Sequence, residues 1–496
     1  EADALVATIA ALYVGGLAGE NRTFLEPNER DATISNSHAD VTVISGASGV
    51  IGSGGDTGGL VGINRGVITA STAAGSVSAL ARGARVGGLV GFNEGGDKAG
   101  RIEASSSTAS VRGGHDATAG GLVGYNAALI EASAATGDVT VADNSTAGGL
   151  VGENRGKIAA STAGGKVVAG ASGVVGGLAG VNRATIATST ANGSVQAGNA
   201  AVAGGLVGLN EATISASTAN GNVSTGADSQ LGGLVGRNRG DAEILASSAH
   251  GRVDGRNNVK AGGLVGSNLG KVDGSSADGA VKVGAQSQAG GLVGENHGTV
   301  AASSADGNVS AGDDSIAGGL VGMNLGKVAS ARASGAVNVA GRGRAGGLIG
   351  LNWGSVSSSS ASGDVVSGAG SYVGGLVGHN FTIASIDASD AYGSAKGGDG
   401  SSVGGLVGKN DGKIAASSSS GAVSGGRNAR LGGVAGENFG NVDYSNSSSL
   451  VAYTAGYDQL YGGLAGVNFG RMRGNGVSGN AAAVPLAGRN FGSIRN

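Results

Sequence analysis

The chain has 496 residues, with 105 Gly, 2 Pro and no Cys, a formal net charge of −3 and 14% charged residues. Lack of Cys excludes disulfides, thiol catalysis and Cys-based zinc sites, and the charge balance gives no support to nucleic-acid binding or a basic membrane patch. Two prolines without Gly at every third position exclude collagen, and no 18-residue apolar run exists, so no membrane span is expected.

In chain order, Glu1 opens mid-pattern with no visible signal peptide, as in a mature or excised fragment. The phrase Gly-Gly-Leu-Val-Gly-x-Asn then appears, with small variations, sixteen times from Gly15–Asn21 to Gly462–Asn468, and an eroded copy ends at Asn490. The first step, Asn21 to Asn64, is 43 residues, followed by 29 and 33. From Asn126 the step is 28, through Asn154, Asn182, Asn210 and Asn238, and again from Asn268 through Asn296, Asn324, Asn352 and Asn380. Asn410 and Asn438 continue the column, and a few steps are 30. Self-similarity at a fixed period means stacked units, none able to bury its apolar face alone.

One unit, Gly148 to Val175, has three β-leaning pieces between Gly and Ser-rich corners: the motif itself, a piece centred on Ile158 and running to Ser161, and one carrying Val167 and Val168. The Gly density leaves no 3.6-residue apolar pattern, so helix is not expected. The predicted fold is all-β: a single elongated β-solenoid of about 17 coils of about 28 residues, each with three short strands. Spaced about 4.8 Å apart, the coils would form a rod on the order of 80 Å long. Residues 58–468 form the regular array, 1–57 an irregular first coil and cap, and 469–496 a degenerate last coil or cap.

Columns through the repeat assign roles. Leu17, Leu60, Leu89, Leu122 and their successors predict an aliphatic ladder, broken only by Val434 before the eroded copy. The next residue is also apolar, which conflicts with in–out alternation; either a bend at the motif glycines or burial of both faces would resolve it. The residue before Asn varies freely (Glu20, Ile63, Phe92, Glu153, Arg237, Lys409) and is expected to face solvent. Asn126, Asn154, Asn182, Asn210, Asn238, Asn268, Asn296, Asn324, Asn352, Asn380, Asn410 and Asn438 are expected to stack as a side-chain amide ladder that caps a corner; the functional alternative is a ligand-binding amide. A Ser column runs through Ser71, Ser105, Ser133, Ser161, Ser189 and Ser217, breaks at Ala331 and resumes at Ser359. Turn hydroxyls bonding local backbone account for it; an ordered-water, ice-binding array is the alternative.

The two prolines, Pro27 and Pro485, fall in the irregular first and last copies, as edges require. Seven of the fourteen Phe and Tyr lie after residue 438. Tyr444, Tyr453, Tyr457, Tyr461, Phe469 and Phe491 are the candidate partner-binding residues, with Phe439 beside them; the alternative is that they close the end of the core.

Recognisable active-site chemistry is missing from the pattern. The five His occupy unrelated repeat positions without metal-ligand spacing, and no G-x-S-x-G elbow with plausible partners stands out. Asp143, Asp228, Asp313, Asp314 and Asp399 lie in one corner and invite a calcium reading, but no Gly-Gly-x-Gly-x-Asp series recurs. Asp278 and Asp306, one coil apart, could reach the separation glycoside hydrolysis needs, yet Asn and Ser fill that column elsewhere. No catalytic residue, metal or cofactor is expected.

Gly-Leu-Val-Gly-x-Asn with its period of about 28 residues resembles the GLUG motif of bacterial exported proteins, over essentially residues 15–490. Proteins carrying it include filamentous-haemagglutinin-like adhesins and some surface peptidases, though no H-E-x-x-H occurs here. The resemblance implies a secreted bacterial protein of the cell surface. Three functions follow as expectations: a non-enzymatic adhesin or adhesive stalk, a subunit of an extracellular filament joined end to end, or a glycan-active β-helix enzyme. The expected partners are a host or neighbouring cell surface, through a glycan or protein ligand, with possible self-association and no nucleic acid.

Overall fold

The computed structural model describes residues 2–8, 13–22, 32–46, 54–95 and 100–495. It is a parallel β-solenoid whose coils repeat about every 28 residues, and it divides into two compact units, Glu1–Gly251 and Arg252–Asn496. Pro27 lies outside the described residues.

A coil of the first unit explains the motif. Strands Thr146–Gly148 and Val151–Asn154 flank a bend at Gly149 and Leu150; Ile158–Ala159 follows, then Thr162–Ala163 and Val167–Ala169 around a last corner. The three strand-forming pieces thus resolve into five short segments. Each pairs in register with its equivalent one coil on: Thr146 with Val174, Val151 with Ala179, Ile158 with Ile186, Val167 with Val195. The second unit has the same order, as in Gln288–Gly290, Val293–Asn296, Thr299–Ala301, Ser304–Ala305 and Val309–Ala311.

The bend resolves the conflict in the motif. It reverses the pleat between Leu150 and Val151, so both point inward and both are fully buried. The motif glycines are required by close approach rather than by backbone angle. A Cβ on Gly148 would overlap the Val151 carbonyl oxygen of its own coil; one on Gly149 would overlap the Gly177 oxygen of the next; one on Gly152 would press on the Gly124 oxygen of the coil before. Opposite the bend the core is so thin that the Ala163 methyl fills it, 3.1 Å from where a Gly149 Cβ would sit, which accounts for the buried column Ala135, Ala163, Ala191 and Ala219.

Two expectations need correction. Leu17 is 49% exposed, whereas Leu60 and its successors are buried; among the described residues no strand precedes Leu17's coil on that side. The residue before Asn is not a solvent-facing position. Val181, Glu295, Leu351, His379 and Val467 are buried and Glu153 and Lys409 half-buried, because the bend folds the preceding strand over them.

The late aromatics do not close the core either. Tyr444, Tyr453, Phe469 and Phe491 are 58%, 52%, 46% and 65% exposed. In the last coil a 3₁₀ turn, Gly479–Ala483, carries the buried Ala481, and Pro485 supplies its carbonyl to Gly463 N–H at 2.7 Å.

Candidate functional site

The repeated positions are occupied with holding the stack. In the first unit each Asn Nδ2 donates to the Oδ1 of the next, from Asn21 through Asn64, Asn93, Asn126, Asn154, Asn182 and Asn210 to Asn238, at 2.7–2.8 Å. In the second unit the chain of amides runs from Asn268 through Asn296, Asn324, Asn352, Asn380, Asn410, Asn438 and Asn468 to Asn490, at 2.8–2.9 Å. The second amide proton closes a local turn, as from Asn126 to the Ala128 carbonyl at 2.8 Å. From Asn64 to Asn468 these side chains are fully buried, so they do not meet a ligand.

The Ser column works at a strained corner. The residue before it is left-handed and in most coils is not Gly: φ is +48° at Ala160, +47° at Thr188 and +47° at Ala216. Ser161 Oγ donates to the Ala159 carbonyl at 2.8 Å and accepts the Ser133 N–H at 3.2 Å, carrying one inter-coil bond across the break in the strand. These hydroxyls are 0–4% exposed, which overturns the ordered-water array. A second buried Ser column, Ser145, Ser229, Ser287, Ser315, Ser371 and Ser401, does the same at the opposite corner, as in Ala117 N–H to Ser145 Oγ at 3.1 Å. Its more frequent Ala, Gly and Val replacements mask it in the sequence.

The corner acids bond backbone or cations of the stack. Asp143 accepts Ala171 N–H and Asp399 accepts Arg427 N–H, each at 2.7 Å, and Asp314 pairs with Arg342 at 2.8 Å, which holds its carboxyl below the usual range. Among the described residues no group of three His, Asp or Glu could hold a metal. Asp278 and Asp306 are both exposed, and Asp306 accepts a hydrogen bond from Ser334.

Two of the variable rows lie beside the bend. The channel beneath it holds the residue before Asn and the one opening the preceding strand. There the Arg85 guanidinium lies 4.8 Å and 4.9 Å from the Phe92 and Tyr125 rings and 3.4 Å from Asp56 Oδ1; burial nevertheless pushes the Asp56 carboxyl up to about 6. Burial likewise lowers the affinity of His379 for a proton, against the pull of Asp411 at 2.7 Å.

The row just after Asn distinguishes the two units. In the first it is charged: Arg65 bridges Glu20 and Glu94, and Arg183 bridges Glu153 and Glu211 at 3.3 and 3.1 Å. In the second it is largely apolar: Leu269, Leu325, Trp353, Phe439, Phe469 and Phe491 are 36–65% exposed. Trp353 stacks on Phe381 at 3.8 Å, Phe439 on Phe469 at 4.7 Å, and Phe469 on Phe491 at 4.9 Å. The sequence pattern brings Phe469 and Phe491 together with Phe439, and the fold separately stacks Tyr453 on Tyr461 at 4.2 Å. Tyr457 pairs with Arg427 at 5.2 Å and Tyr444 with Arg473 at 5.8 Å. The six candidates therefore form four groups rather than one site.

Fold and columns define a repeat protein of the parallel β-solenoid class. The GLUG motif matches residues 83–112, 116–140 and 341–366, so the repeated unit is the GLUG repeat. No curated protein and no solved structure matches the chain. Among the described residues no helix is long and apolar enough to cross a membrane.

Proposed function

We propose that the protein is a non-enzymatic, extracellular bacterial adhesin or adhesive stalk. The observation behind this reading is the division of labour within each coil: the repeated Gly, Leu, Asn and Ser bind coil to coil, while the row after Asn is free to vary and, in the second unit, carries an exposed apolar stripe. Apolar surface extending over several coils marks an interaction face. Partner-binding is assigned first to Phe469 and Phe491, with Phe439 and Trp353 on the same row.

The test is saturable binding of labelled protein to host and bacterial cells, compared with a Phe439→Ser, Phe469→Ser variant. Binding that unlabelled protein competes away and the variant weakens at least fivefold supports the reading. Absence of saturable binding to either cell type would sink it. Electron microscopy over a range of concentrations addresses the alternative, a filament subunit, through fibres that lengthen with concentration.

A further inference from the structure

Arginine is unevenly placed. Residues 459–496 contain Arg471, Arg473, Arg489 and Arg495 and no Asp or Glu, in a chain whose net charge is −3. Strand Arg471–Arg473 pairs in register with Ser493–Arg495, placing Arg471 beside Ser493 and Arg473 beside Arg495. Met472, between the arginines, is buried, so strand alternation turns the flanking side chains outward together, about 4.8 Å apart between strands. Asp443 on the preceding strand is the register partner of Arg473 and turns its carboxylate to Arg471 at 3.2 Å. Among the described residues no carboxylate pairs with Arg473 or Arg495. Two like charges directly opposite each other on neighbouring strands destabilise a sheet, and an anion between them reverses that sign.

A second observation marks the same place. Tyr444 is left-handed at φ +52°, in a column otherwise occupied by small residues such as Ala388 and Ala416. The left-handed corner recurs in every coil, so what is particular to Tyr444 is its aromatic side chain and not its backbone. Tyr444 is 58% exposed and lies against Gly474, where a Cβ would come within 2.7 Å of the ring. Tyr444, Arg471, Arg473, Gly474, Ser493 and Arg495 line a cleft of about 710 Å³. That volume suits an organic ligand and leaves an inorganic anion mostly surrounded by water.

We propose that this cleft binds a carboxylate-bearing oligosaccharide, with Arg473 and Arg495 gripping the carboxylate and the Tyr444 ring supporting the sugar. Guanidinium forks match carboxylates bidentately, and an aromatic face beside them accepts the apolar side of a pyranose. Nucleic acid fits less well, because its affinity needs many phosphate contacts along a basic stripe, and the basic surface here is one cleft. The site does not depend on the adhesive reading, since it concerns the purified chain alone.

Calorimetric titration with oligogalacturonate tests it, with its methyl ester, inorganic phosphate and oligodeoxythymidylate as comparisons. The variants are Arg473→Ala with Arg495→Ala, Tyr444→Ala, and Arg112→Ala as a control in the first unit. Expected are binding by oligogalacturonate that weakens with salt, at least a tenfold loss in the double variant, and no change in the control. Thermal melting checks that the variants fold. Tyr444→Ala should lose affinity while gaining or keeping stability, which separates a ligand role from a structural one. Absence of binding, equal binding by the methyl ester or phosphate, tighter binding by the oligonucleotide, or an unchanged double variant would each overturn the proposal.

Discussion

Replacing Asn210 by Ala removes one interior rung from the first unit's amide ladder. Asn210 Oδ1 accepts from Asn182 at 2.8 Å, and its Nδ2 donates to Asn238 Oδ1 at 2.8 Å and to the Ala212 carbonyl at 2.7 Å. Ala212 is half-buried and its carbonyl can turn to water, but Asn182 and Asn238 are fully buried. The buried Asn182 amide loses its acceptor at about 1–3 kcal/mol, so the substitution should cost at least about 1–3 kcal/mol. The neighbouring Glu211→Ala breaks ion pairs with Arg183 and Arg239 at the surface and should cost less than about 1 kcal/mol. Because stacked repeats couple mainly to their neighbours, the assay is amide hydrogen exchange read coil by coil. Protection should fall around Val207–Asn210 and the adjoining rungs and recover several coils away. Equal, small losses in both variants would refute the ladder's energetic role.

Three further outcomes follow from local geometry. Gly205→Ala drives a Cβ into the Gly233 carbonyl, whereas Gly240 has open space around it; the first should destabilise by about 3 kcal/mol or more and the second by under about 0.5 kcal/mol, measured by urea denaturation. Ala331 interrupts the Ser column, so Ala331→Ser should restore the hydroxyl bridge to Ser303 and raise stability by about 1 kcal/mol; no gain would mean that the corner hydroxyl contributes nothing. Asp56, with its carboxyl raised from 3.8 to about 6, holds a proton more tightly folded than unfolded. Its contribution is therefore complete below about pH 4 and is lost as pH rises through about 6. Asp56→Asn should be more stable than the parent by up to about 3 kcal/mol above about pH 7, with the difference closing towards pH 4. A pH-independent difference would contradict this.

Much of the architecture is legible in the sequence because one physical constraint acts on every coil at the same position. Gly149 and its equivalents lack room for any Cβ, and the Asn column bonds to itself, so both recur without tolerance for change. Features that repeat in geometry but not in residue type are hidden. The left-handed corner is occupied by Ala160, Thr188 and Ala216, residues that carry no turn signal. The bend between Gly149 and Leu150 leaves two adjacent apolar letters that either of two structures could explain. The row after Asn changes from Arg183 and Glu211 to Trp353 and Phe469, and its meaning emerges only when coils are stacked. The arginine cleft is hidden for the same reason: Arg473 and Arg495 become neighbours through a 22-residue coil that departs from the period.

In-register parallel stacking of successive coils is directly testable because the chain has no Cys. Gln196 and Ser224 are register partners on outward positions, at a strand spacing of about 4.8 Å, within disulfide reach. Gln196→Cys with Ser224→Cys should form an intramolecular disulfide on mild oxidation, while Gln196→Cys with Asn222→Cys should not. Preferential crosslinking of the second pair, or crosslinks only between chains, would contradict the account.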